Sequence, residues 1–327
     1  MSAKDYSSDE FYCCEWINSG LHFQPTRLGF CCNSSQSIGD HPQISEQYSG
    51  EYLNKNILNK IKKIKENFKK GKIFKGCKQC SLLKKQKWDG LDEQYFDHFV
   101  FTNTHKCNSK CIYCFTNDLS EEVLNLTYNV YPVIKQMRDE GLMKFLPTST
   151  AVFSGGEPTI SNDFEQLLNF FLDNDCPNLK VHSSGILFSK SVVRGLEKGD
   201  VEIIISTDAG KKETFYKIKR VDAFNKVMAN IKKYVEKAKN PEQVKIKFII
   251  IPGINDSIKE IDLWFNNILN CGIKSIACDI EQHWFYNHIE DKNKKMFALL
   301  DYFKCKAEEY NLMFEYYAPA KKLYDNI

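Results

Sequence analysis

The sequence predicts an α/β protein: an open, partial (β/α)6 barrel preceded by a small cysteine-rich domain. Three observations lead there. From Tyr95 onward, short apolar runs alternate with segments of helical period, as in strands joined by crossover helices. The strand candidates are almost continuously apolar, the pattern of a parallel sheet buried on both faces. Before Tyr95 the chain reads differently, as short strands, a polar loop and a lysine-rich helix with cysteines in close groups. The expected division is residues 1–94 and 95–327.

In the first part, Phe11–Trp16 and Gly20–Phe23 read as short strands, and 28–32 follows after a turn at Pro25. Residues 33–50, rich in Ser, Gln, Gly and Pro, predict a loop. Ile57, Ile61, Ile64 and Phe68 then fall on one helical stripe. Lysines fill the other faces: between Lys55 and Lys87 there are thirteen, against one acidic residue, Glu66. Such a surface is either a solvated face or a site for an acidic ligand. The absence of Arg and the scarcity of aromatics argue against nucleic acid.

In the second part, strands are expected at His98–Thr102, 148–154, Asn178–Ser183, Val201–Ser206, 244–251 and 275–279. The intervening helices are 121–141, 162–172, 190–197, 223–238 and 257–270, with a last one at 292–310 and a further strand at 312–316. Six units are too few for a closed eight-stranded barrel, so the barrel is open. In such barrels, chemistry gathers at the carboxyl ends of the strands.

Composition narrows the class. The chain of 327 residues is 43% hydrophobic, enough for a sizeable core, and its net charge of +3 does not by itself imply a polyanion partner. The polar, acidic start is not a secretion signal, and no apolar run approaches the roughly 20 residues that span a bilayer. A cytoplasmic protein without membrane contact is expected. Thirteen cysteines in such a chain argue for metal rather than disulfides. Cys176, Cys271, Cys278 and Cys305 stand singly and read as small buried hydrophobes.

Residues 107–114 read Cys-Asn-Ser-Lys-Cys-Ile-Tyr-Cys. Cys107, Cys111 and Cys114 suit a soft, thiolate-loving metal centre. A [4Fe–4S] cluster normally takes four cysteines, so three leave one iron open. Zinc would need a fourth ligand, with His105 the nearby candidate. The C-x3-C-x-aromatic-C spacing after an apolar strand resembles the radical S-adenosylmethionine (SAM) superfamily. That resemblance implies a TIM-like partial barrel, a [4Fe–4S] cluster whose open iron is chelated by SAM, and reductive cleavage of SAM to a radical that takes a substrate hydrogen.

Further residues carry the resemblance. Ser154-Gly-Gly-Glu-Pro158 resembles the family's GGE motif, which implies that Gly155, Gly156 and Glu157 meet the SAM amino group. Ser184, Ser206 and Asp208, at the ends of the third and fourth strands, are similar in place to residues that hydrogen-bond ribose. Arg220 resembles an arginine that pairs with the SAM carboxylate, and Tyr113 would flank the adenine together with residues 251–256. The stretch from Asp279 to His288 is dense in aromatic and polar groups, and Glu281, His283 and Tyr286 are the candidates for substrate contact.

The early cysteines pair up as Cys13/Cys14 and Cys31/Cys32, followed after a gap by Cys77-x2-Cys80. One from each pair plus both late ones makes four ligands, with Cys14 and either Cys31 or Cys32 preferred and Cys13 possible. This is similar to the auxiliary-cluster modules (SPASM and twitch) of the same superfamily, though there the module usually follows the barrel. The expectation is an enzyme with a probable second Fe–S cluster, fed by a reductant such as flavodoxin or ferredoxin. Its substrate would be a peptide or protein, or a small molecule such as a sugar to be oxidised, with RNA third. The alternatives are a zinc-stabilised binding protein and a non-catalytic Fe–S electron-transfer protein.

Overall fold

The computed structural model describes residues 10–31, 41–78, 80–88, 95–288, 294–317 and 320–321. Its strands are β1 (Glu10–Cys13), β2 (Gly20–Phe23), β3 (Leu28–Gly29), β4 (Gln43–Ser45), β5 (Lys84–Lys87), β6 (His98–Phe101), β7 (Thr150–Phe153), β8 (Asn178–Ser183), β9 (Val201–Ser206), β10 (Val244–Ile250), β11 (Ser275–Ile280) and β12 (Met313–Tyr316). Ten lie in one sheet, in the order β12-β11-β10-β9-β8-β7-β6-β2-β3-β4. All neighbours from β12 to β2 run parallel, and β3 and β4 continue the edge antiparallel. This large parallel sheet is that of a partial TIM-like barrel, with the six expected strands as β6 to β11.

The expected division at residue 94 is crossed by hydrogen bonds. β2 pairs with β6 in parallel, Gly20 opposite His98. His22 links the two parts further, with Nε2 2.8 Å from Thr102 Oγ1 and Nδ1 2.9 Å from the Cys31 carbonyl. Among the described residues, β1 and β5 form a separate two-stranded sheet. The strand expected through Trp16 stops at Cys13, and Glu15–Ser19 is a helix.

The single helix expected over 121–141 is two helices, Glu121–Asn125 and Tyr131–Asp139. Pro132 has no N–H to donate and fits only in a first turn, so it starts a second helix. Ser120 caps the first by accepting from Val123 N. The helix Lys212–Lys219, absent from the sequence expectation, ends at Arg220 in the left-handed region at φ 55°.

The two faces of the sheet differ. Phe248 of β10 packs on Trp264 and Phe303 of the covering helices, at ring separations of 5.2 and 5.1 Å. The opposite, inner face carries Lys180, Glu202, Lys245 and Lys247, so the barrel lining is polar where most helix-facing positions are apolar. No helix among the described residues is long and apolar enough to cross a membrane.

Candidate metal centre and cofactor pocket

The cysteine loop leaves the end of β6 and is tied to two neighbours. Its later half hydrogen-bonds to the end of the helix Lys212–Lys219: Lys110 N donates to Lys219 O (3.0 Å) and Ile112 N to Ile218 O (2.9 Å). Cys107, Cys111 and Cys114 are all free thiols on this loop. Ser109 Oγ lies 3.3 Å from Cys107 Sγ and 3.6 Å from Cys111 Sγ, so one hydroxyl spans two sulfurs. Thr116 Oγ1 is 3.0 Å from Cys114 Sγ. Burial raises the Cys107 thiol, and the Ser109 hydroxyl and amide oppose that shift.

The Gly-Gly-Glu turn is zipped to the front of the loop. Gly156 N donates to Thr104 O (3.0 Å) and Glu157 N to Lys106 O (2.8 Å). A Cβ on Gly156 would stand 2.1 Å from the Lys106 carbonyl oxygen. Gly155 has φ +102°, and a Cβ there would lie 3.0 Å from Thr104 O. Both glycines are therefore required for the turn to touch the loop, whatever ligand it meets. Glu157 is buried, and its carboxylate accepts from Thr159 Oγ1 (2.6 Å), Ser183 Oγ (2.9 Å) and Ser184 N (2.6 Å). Ser184 Oγ in turn donates to Asn108 Oδ1 (3.0 Å), joining β8 to the cysteine loop.

Behind the loop lies a group that the sequence did not reveal. Lys219 and Asp208 form a buried ion pair, with side chains 4% and 0% exposed. Tyr113 OH donates to Asp208 Oδ2 (2.6 Å), and Lys219 Nζ donates to Tyr113 OH (2.7 Å). Asp208 Oδ1 accepts from Ile249 N (2.8 Å), so the carboxylate is engaged on both oxygens. Desolvation would lower the Lys219 pKa, but the Asp208 carboxylate and the Cys111 thiol outweigh it and hold it above its ordinary value. Arg220, the adjacent residue, is exposed. Ser206 closes β9 and is half-buried.

A cavity of about 530 Å³ opens between the loop and the ends of β10 and β11. Ile112, Tyr113 and Phe115 line one side, and Ile251, Glu281 and His283 the other. Glu281 is also the cap of the helix Gln282–Asn287, accepting from His283 N (2.9 Å) and Trp284 N (2.6 Å). Tyr286 is 52% exposed and does not line this cavity.

The early cysteines gather in the N-terminal part. Burial raises the Cys77 thiol to about 12, and Cys14, Cys31 and Cys80 each add to the shift by proximity. Cys14 is raised to about 11 by burial, with Cys80 contributing. Cys13 is fully buried, its Sγ 3.7 Å from the Cys14 carbonyl. Cys32 lies outside the described residues.

Three thiols on one loop are soft donors of the kind an iron–sulfur cluster takes. Among the described residues no three His, Cys, Asp or Glu side chains form a single-ion site. Two buried polar atoms at the loop, His105 Nδ1 and Asn108 Nδ2, have no hydrogen-bond partner among the described residues and could serve a bound cofactor.

Fold and site define a class: a parallel partial barrel with a three-thiolate loop at the carboxyl ends of its strands. Residues 103–265 match the model of the Radical SAM superfamily, and the chain belongs to that superfamily. It is 30% identical over 168 residues to a GTP 3′,8-cyclase of Clostridium botulinum, covering 50% of each chain. It is 29% identical over 180 residues to one of Clostridium perfringens, covering 52% of each. The match thus spans about half the length of these curated relatives. In structure the chain is similar to Streptococcus suis SuiB bound to precursor peptide SuiA. The TM-score is 0.51 at 14% identity, covering 94% of this chain and 73% of that one, and the likeness shows the fold.

Proposed function

We propose that this protein is a radical SAM enzyme that cleaves SAM reductively and abstracts a hydrogen atom from a substrate held in the barrel. Cys107, Cys111 and Cys114 would hold the [4Fe–4S] cluster, leaving one iron for SAM. When bound, cluster and SAM together supply the one-electron chemistry. The observation that supports the reading is the joint between the cysteine loop and the Gly-Gly-Glu turn, where Glu157 N donates to Lys106 O one residue before Cys107.

The residues of the chain would bind and orient. Glu157 Oε1 already accepts from Thr159 N, Thr159 Oγ1 and Ser183 Oγ, whereas Oε2 accepts from Ser184 N and would take a further hydrogen bond from the SAM ammonium. Ile112, Tyr113 and Ile251 offer the apolar walls that a purine needs, in a cavity of ligand size. Ser184 and Ser206 would meet the ribose. Asp208 would act from behind, since its carboxylate is engaged by Lys219, Tyr113 and Ile249. Arg220, exposed beside the cysteine loop's partner helix, would pair with the SAM carboxylate. Glu281 and His283 stand across the cavity as substrate contacts.

The N-terminal part would carry a second Fe–S cluster on Cys14, Cys31, Cys77 and Cys80, with Cys13 or Cys32 as substitutes. Their mutual proximity supports this, since Cys77 feels Cys14, Cys31 and Cys80 together. A flavodoxin or ferredoxin would supply electrons. The substrate would be a peptide or protein, or a small molecule: SuiB is seen with a peptide, whereas the relatives matched over half their length are GTP 3′,8-cyclases.

Anaerobic incubation of the reconstituted protein with dithionite and SAM tests this. Formation of 5′-deoxyadenosine is expected, and its absence from Cys107→Ala, Cys111→Ala and Cys114→Ala variants. Wild type that binds zinc without iron, or yields no 5′-deoxyadenosine with or without candidate substrates, overturns the proposal.

A further inference from the structure

The inner face of the sheet carries two layers of charge below the cysteine loop. In the lower layer Glu202 bridges Lys180 (3.3 Å) and Lys245 (2.7 Å), and Lys245 continues to Glu315 (2.6 Å). Two cations meet two carboxylates, so this layer is neutral by itself.

The upper layer holds one cation and one carboxylate, Lys247 and Asp279, which feel each other without an ion-pair contact. Lys247 stands in register with Ser206 of β9 and Ala277 of β11, small side chains that leave its ammonium room. Its ammonium lies 5.5 Å from the centre of the Tyr317 ring, and no carboxylate of the described residues is within ion-pair distance. Asp279 feels Lys247, but its Oδ1 already accepts from Ile280 N (2.9 Å) and Ala320 N (3.4 Å). His182 of β8 faces the same space, and neither ring nitrogen has a hydrogen-bond partner among the described residues. Burial, and then the charge of Lys247, lowers its pKa to about 4, so the ring is neutral and can donate from one nitrogen. A half-buried ammonium that touches no carboxylate can be stabilised by a ligand that brings an anion into contact with it.

We infer that Lys247 and His182 form an anion anchor inside the barrel, and that the substrate carries a carboxylate or phosphate group. This deepens the proposed function and rests on its placing the substrate in the barrel. Lys247 comes two residues before Ile249, whose N–H donates to Asp208. The anchor is therefore about 7 Å along the strand from the layer that supports the cysteine loop. An oxyanion held there aims the rest of the substrate toward the loop.

The test follows the His182 ring resonance in anaerobically reconstituted protein with labelled histidine, the signal being identified by its loss in His182→Gln. The probes are inorganic phosphate and, separately, acetate. A saturable shift is expected with at least one, and the tighter of the two separates a phosphate from a carboxylate site. Lys247→Met should weaken that binding about tenfold or more and Lys247→Arg far less, since one charged hydrogen bond is at stake. Thermal melts establish that both variants fold. No saturable shift with either anion, or Lys247→Met binding as wild type does, overturns the inference. The readout needs no SAM cleavage, so its failure is distinct from failure to form 5′-deoxyadenosine.

Discussion

The ammonium of Lys219 and the carboxylate of Asp208 meet as a buried pair directly behind the cysteine loop, and the Tyr113 hydroxyl closes the group. Removing one partner leaves an uncompensated charge away from water. Lys219→Met is expected to destabilise the fold by about 3–5 kcal/mol in denaturant unfolding. The double variant Lys219→Met/Asp208→Asn should recover part of that loss. Equal loss in the single and double variants would deny the pairing its role.

Gly156→Ala places a methyl group against backbone, 2.1 Å from the Lys106 carbonyl oxygen, where no side chain can yield. The joint between turn and loop must open. A cost of about 1–3 kcal/mol in stability is expected, together with a lower iron content after reconstitution. Wild-type melting and iron content in this variant would show that the joint tolerates separation.

Iron analysis separates the two cysteine groups. Reconstituted wild type is expected to hold about six irons if the second cluster is [2Fe–2S] or about eight if it is [4Fe–4S], and Cys77→Ala/Cys80→Ala about four. The same double variant should keep the cluster on Cys107, Cys111 and Cys114. An unchanged count would remove the second cluster.

Stability should depend on pH through His182. Its pKa falls from 6.5 to about 4 on folding, so the unfolded chain binds the extra proton between those values. The His182 contribution is complete above about pH 6.5 and is lost as pH falls toward 4. Asp279 works the other way: burial raises it from 3.8 to about 6, so its folded form binds more protons and its contribution falls as pH rises through that range. His182→Gln should therefore flatten the acid limb of a stability–pH curve, and Asp279→Asn should steepen it.

Much of this was legible in the sequence because the signals are local. Six apolar strands, the three-cysteine loop and the Gly-Gly-Glu turn each occupy a few consecutive residues. What was not legible depends on residues far apart in sequence. Lys219 gave no sign of burial beside Arg220, since only the left-handed turn at the helix end points one inward and the other out. The joining of β2 to β6 is a long-range pairing, so an N-terminal domain and an extension of the sheet read alike. The helix break at Pro132 was local and available, but the apolar period continued across it. His182 and Lys247 share the inner face only because β8, β9 and β10 pair in parallel, with His182 level with Lys245 and Lys247 two residues farther along.

The central claim is that three thiolates of one loop hold a cluster whose remaining iron is free for SAM. The most direct measurement is the electron paramagnetic resonance spectrum of the reduced cluster in the Cys77→Ala/Cys80→Ala variant, before and after SAM is added. A [4Fe–4S] signal that SAM changes is predicted, and is absent when Cys107, Cys111 and Cys114 are also replaced by Ala. A signal indifferent to SAM, or one that survives loss of those three cysteines, would contradict the account.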